Sequence, residues 1–82
     1  MTSDLYPGVT RVEPVADYLL SVTFDTGERR VLDMKPYLDF GVFKRLRTEA
    51  EFRAVRVSFD TVAWECGVDL DPEFAYAKSV AV

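Results

Sequence analysis

The chain has 82 residues, with ten Lys and Arg against fourteen Asp and Glu, a formal net charge of −4 and no histidine. That length allows one domain with a single modest core. The missing imidazole excludes Ser-His-Asp and Cys-His catalysis, histidine metal ligation and a histidine pH switch.

Residues 9–13 read as a first strand, ended by Pro14 and a turn through Val15, Ala16 and Asp17. From 18 to 24, Tyr18, Leu20, Val22 and Phe24 alternate with Leu19, Ser21 and Thr23, the period of two of a half-buried strand. Asp25-Thr26-Gly27-Glu28 makes a hairpin loop in which Gly27 supplies a positive φ. Residues 29–33 return as a third strand, with Val31 and Leu32 on opposite faces. Between 34 and 40, Pro36 near the start and Gly41 past the end mark a short helix or helical turn. An apolar and basic connection follows, Val42-Phe43-Lys44-Arg45-Leu46. Thr48 and Glu51 form a T-x-x-E capping box that opens a helix to about Ala54, anchored by Phe52. Val55, Val57 and Phe59 resume the period of two, and Val62 and Trp64 continue it after a tight turn near Asp60. Asp71-Pro72 offers a cap with proline at the first helical position, so residues 74–79 form a short helix that leans on the sheet through Phe74 and Tyr76.

The predicted fold is α+β: an antiparallel sheet of about five strands in the order β-β-β-α-β-β, one capped helix and a short C-terminal helix. Residues 1–82 form a single domain. Tyr18, Leu20, Val22, Phe24, Val57 and Val62 are expected to share a core under Phe52, with Trp64 and Phe59 also inside.

The blocks Pro7-x-Val9-x-x-Val12, Tyr18-x-Leu20-x-Val22-x-Phe24-x-x-Gly27-Glu28, Asp33-x-x-Pro36-x-Leu38 and Gly41-Val42-Phe43-x-x-Leu46 come in this order. They are followed by Val55-x-Val57, Val62-x-Trp64 and Gly67-x-Asp69-Leu70-x-Pro72-Glu73. Together, over residues 7–76, they resemble domain-of-unknown-function family 2442, small bacterial domains of uncharacterised role. The chain departs from that family's Trp-Pro-Asn-Gly at Trp64-Glu65-Cys66-Gly67, and the turn between strands four and five is shortened. The resemblance implies a β-rich α+β fold and no catalytic residue, and no cofactor is expected. It also implies a regulatory or toxin–antitoxin-like role, beside a helix-turn-helix segment or a second small protein. On that reading these 82 residues are the sensing or pairing half.

Cys66 has no partner for an internal disulfide. As a nucleophile it lacks a base or cation, its neighbours Glu65 and Asp69 being acidic. No run of residues approaches the length of an apolar membrane span, and the acidic first eight residues lack the basic flank and apolar stretch of a signal peptide. The expected location is cytoplasmic, with no membrane contact. Asp69, Asp71 and Glu73 are spaced as hard-metal ligands, without the length and glycine placement of an EF-hand loop. The local reading gives Asp71 to the cap of the tail helix and Asp69 to the backbone of the Cys66-Gly67 turn, with Trp64 and Gly67 shaping that loop. A small-ligand or metal site in the loop from Trp64 to Glu73 is the rival reading.

Charge is uneven along the chain: acids outnumber bases before residue 28 and after residue 56, and bases outnumber acids between them. Net acidity and the lack of a long basic helix argue against direct nucleic-acid binding. Tyr6, Tyr37, Phe40 and Phe43 flank the bases Lys44, Arg45 and Arg47, and aromatic with arginine is the composition of interface hot spots. The expectation is therefore a non-enzymatic interaction module, a homodimer or one half of a small protein pair. Its contact surface would be Tyr37, Phe40, Phe43, Lys44, Arg45 and Arg47 together with a sheet edge, with core packing under the loop as the competing and favoured reading for Phe43.

Overall fold

The computed structural model describes residues 7–82, so Tyr6 lies outside the described residues. Strands β1 (Val9–Val15), β2 (Leu19–Phe24) and β3 (Arg29–Asp33) form an antiparallel meander. Helix α1 (Glu49–Arg53) leads into a second meander of β4 (Val55–Ser58), β5 (Thr61–Trp64) and β6 (Asp69–Leu70). Helix α2 (Pro72–Lys78) then returns the chain to β7 (Val80–Ala81), which pairs with β3. The class is α+β with antiparallel strands, divided between a four-stranded sheet, β1-β2-β3-β7, and a three-stranded sheet, β4-β5-β6. Strands β6 and β7 have two residues each, too few for a hydrophobic period to show in the sequence.

The core follows the alternation of β2. Leu20, Val22 and Phe24 are buried, and Leu32 of β3 joins them because it lies opposite Leu20. From the other sheet come Val62, Trp64 and Leu70, with Phe52 of α1 covering them. Tyr18 and Val57 are half-buried and pack against this cluster. Both predicted caps form: the Thr48 hydroxyl accepts from the Glu51 N–H, and the Asp71 carboxylate accepts from the Glu73 N–H. Phe52 sits edge-on to Tyr18, with ring centroids 5.0 Å apart, and its carbonyl accepts from Trp64 Nε1 at 2.9 Å. That bond satisfies the indole in a buried site.

Two local expectations need correction. Strand β1 does not end at Pro14 but runs on to Val15, with Pro14 opposite Leu20. It is the edge of its sheet, where proline's missing N–H is tolerated. Phe59, expected in the core as the next residue of the alternation, is 98% exposed. Ser58 pairs with Thr61, so Phe59 and Asp60 are a two-residue hairpin loop with φ of 51° and 67°. Alternation stops where the strand stops, and the ring is left in solvent.

The two sheets meet at the start of β1. The Val9 N–H donates to the Asp60 carbonyl at 2.8 Å, and the Asp25 N–H donates to the Gly8 carbonyl at 2.8 Å. Gly8 is buried between these turns, and a Cβ there would stand 3.1 Å from the Cβ of Asp60. Glycine lets the strand approach that closely. Among the described residues no helix is long and apolar enough to cross a membrane.

Candidate interaction surface

Residues 34–47 form a strap over the opposite end of the sheets. Pro36 opens a 3₁₀ turn, Lys35–Tyr37, and Gly41, with φ of 50°, starts a second, Gly41–Leu46. Side chains three apart eclipse one another in 3₁₀ geometry, so Phe43 and Leu46 turn to the same side, Leu46 fully buried and Phe43 half-buried against the core. Tyr37 packs edge-on to Phe74 of α2, at 5.1 Å between centroids. Lys35 Nζ donates to the Asp17 carbonyl at 2.9 Å, the Tyr18 hydroxyl donates to the Arg47 carbonyl, and Arg45 Nη1 donates to the Cys66 carbonyl at 3.3 Å. The strap is thereby tied to the β1–β2 turn, the β5–β6 turn and α2.

These ties divide the six residues expected to make contacts. Tyr37 and Phe43 are packing groups turned toward the core. Phe40 points outward and is 66% exposed, and Val42, which composition alone did not single out, is 57% exposed beside it. Lys44 is exposed and has no ion-pair partner among the described residues. Arg45 and Arg47 are exposed too, Arg45 on the Cys66 carbonyl and Arg47 within 3.8 Å of Asp39.

The loop from Trp64 to Glu73 is arranged differently. Trp64 is only 1% exposed and belongs to the core. Gly67, with φ of 97°, closes the β5–β6 turn. Asp69 was expected to bond the Cys66-Gly67 turn; it instead lies opposite Ala63 in β6, and its carboxylate makes no bond to that turn among the described residues. Asp71 is occupied as the cap of α2, its Oδ1 2.9 Å from the Glu73 nitrogen. Among the described residues no three His, Cys, Asp or Glu side chains converge as metal ligands.

Arg30, which composition counts only among the bases of the middle segment, shares the inward face of β3 with Leu32. Its Nε and Nη2 donate to the Ser79 hydroxyl and carbonyl at 2.7 and 2.6 Å, and Nη1 pairs with Glu28 at 2.7 Å. The guanidinium carbon lies 4.4 Å from the centre of the Tyr76 ring, and the Tyr76 hydroxyl donates to Glu28 at 2.9 Å. A cation at the end of a helix satisfies its last carbonyls and its dipole. The Arg30 and Tyr76 bonds hold the Glu28 carboxyl below the usual carboxylate range, and the bond to Glu28 raises the Tyr76 phenol. The Asp33 carboxyl is likewise lowered, chiefly by the Lys35 backbone N–H. The inward face of β3, Arg30 then Leu32, was the available sequence signal for this cluster.

The basic middle is therefore partly used inside the molecule. Arg30, Lys35, Arg47 and Arg56 pair with Glu28, Asp33, Asp39 and Glu65. Arg29, Lys44, Arg45 and Arg53 have no ion-pair partner among the described residues, Arg45 bonding a backbone carbonyl instead. In comparison with known proteins, the family model described as Protein of unknown function (DUF2442) matches residues 9–81, nearly the whole chain. No curated protein and no solved structure matches.

Proposed function

The chain belongs to the DUF2442 family of proteins of unknown function, and from the groups it presents to solvent we propose that it is a non-enzymatic protein–protein interaction module. It acts in the bacterial cytoplasm, as a homodimer or in a regulatory, toxin–antitoxin-like pair. The observation that carries this reading is the outer side of the strap. Phe40 and Val42 stand exposed on a backbone pinned at both ends by buried Met34 and Leu46, and Lys44 and Arg45 follow directly. Burying an exposed apolar side chain of this size contributes roughly 1.5–3 kcal/mol. A pre-fixed backbone reduces the ordering cost of binding. A loop held by a rigid sheet is where small domains keep their binding groups. The rival reading, a ligand or metal site from Trp64 to Glu73, has less support because Trp64 is sealed in the core and Asp71 is engaged as a cap.

The test is Phe40→Ser with Val42→Ser. Both side chains are largely exposed, so the unfolding free energy should stay within about 0.5 kcal/mol of the parent. The variant should lose self-association by light scattering, or lose the amine cross-links that the parent forms in bacterial lysate. If oligomeric state and cross-links both match the parent, the strap is not the contact surface.

A further inference from the structure

The strap has a complementary counterpart on the same chain, at the far end of β1. There the β4–β5 hairpin presents Phe59, 98% exposed, with Asp60 beside it, and the Asp25 turn is joined to it through Gly8 and Val9. Both loop residues have positive φ, the backbone that glycine and asparagine adopt at least cost and a bulky aromatic adopts reluctantly. The ring contributes no burial to offset this. Strain without compensation inside the monomer directs attention to a role outside it. The tip is aromatic and acidic. The strap from Phe40 to Leu46 is apolar and basic, with Lys44 and Arg45 and no acid.

We propose that the partner of the strap is a second copy of this chain, whose Phe59–Asp60 tip docks on Phe40, Val42 and Lys44. This rests on the strap being a contact surface, as argued above. The two patches lie at opposite ends of β1: Val9 bonds Asp60 at one end, and the turn after Val15 receives Lys35 at the other. Two copies packed side by side and antiparallel about a two-fold axis place each tip on the other's strap. The interface closes on itself and both aromatic patches leave solvent together. Opposite charges at the contact, Asp60 against Lys44, set the orientation.

The experiment is a charge swap read by sedimentation velocity and light scattering across micromolar to millimolar protein. The parent should reach the mass of two chains. Asp60→Lys and Lys44→Glu should each weaken dimerisation about tenfold or more, and the two together should restore it. Phe59→Ser should leave the parent's circular dichroism unchanged and abolish the dimer. A monomeric parent at every concentration, an open-ended assembly, a dimer untouched by Phe59→Ser, or a swap without rescue would each overturn the proposal. A monomeric parent whose lysate cross-links still depend on Phe40 and Val42 would leave the strap as a surface for a different protein, so the two readings fail separately.

Discussion

Substituting Phe59 by asparagine should stabilise the monomer. For an L-residue the left-handed backbone region costs roughly 1–2 kcal/mol, and asparagine recovers part of it through local hydrogen bonding. Phe59 has φ of 51° and is 98% exposed, so the change relieves strain and forfeits almost no burial. The expected gain is about 1 kcal/mol, or a rise in Tm of about 4–8 °C for a domain of this size. Urea unfolding at low micromolar protein, followed through the buried Trp64, the only tryptophan, isolates the monomer. Phe59→Ala is the control: it removes the ring and keeps the backbone penalty, and should fall within about 0.5 kcal/mol of the parent. If Phe59→Asn were destabilising, or Phe59→Ala cost as much as a core truncation, the ring would be buried in solution and the account of this turn would be wrong.

Asp71→Ala removes the side-chain acceptor at the start of α2 and should cost about 0.5–2 kcal/mol in chemical denaturation. The Glu28–Arg30–Tyr76 cluster makes stability depend on pH from both sides. Glu28 has a lowered carboxyl in the folded state, so its contribution is present above the ordinary carboxylate range and fades as pH falls through its folded value. Tyr76 has a raised phenol, so its contribution is present below the ordinary phenol range and is lost as pH rises through its folded value. Urea midpoints measured across pH should fall at both extremes, and Glu28→Gln should flatten the acid limb in part, Asp33 supplying some of the remainder. An unchanged acid limb in that variant would mean Glu28 is not paired in solution.

Local signals carried much of the fold. The alternation of Leu20, Val22 and Phe24 fixed which face of β2 is inside, because a one-residue slip would expose all three. Thr48-x-x-Glu51 and Asp71-Pro72 marked helix starts because capping is decided within one turn of chain. The division into two sheets was not legible, since local alternation marks strands but not which strands share a ladder, and the pairing of β7 with β3 joins residues far apart in the sequence. Phe59 reads as core in the sequence because a period of two does not announce where a strand turns into a loop. In the strap, composition counts the aromatic residues but does not say which of them face solvent. Whether Phe40 or Phe43 faces solvent is set by the backbone break at Gly41, and the aromatic content is the same either way.

The pairing of β7 with β3 has a consequence for how the chain assembles. Each meander is contiguous in sequence, so its hairpins close over a few residues and can form early. The C-terminal segment instead joins partners far apart along the chain, with Arg30 and Ser79 separated by 49 residues, and it gains its contacts only once β3 is in place. Strand β7, exposed and two residues long, should then be the last piece to close and the first to open, a latch whose release leaves both hairpin sheets paired. Its signature is in the amide protons: Val82, bonded to the Arg29 carbonyl, exchanges with solvent through local opening, while Leu20 and Val22 wait for the whole domain to unfold.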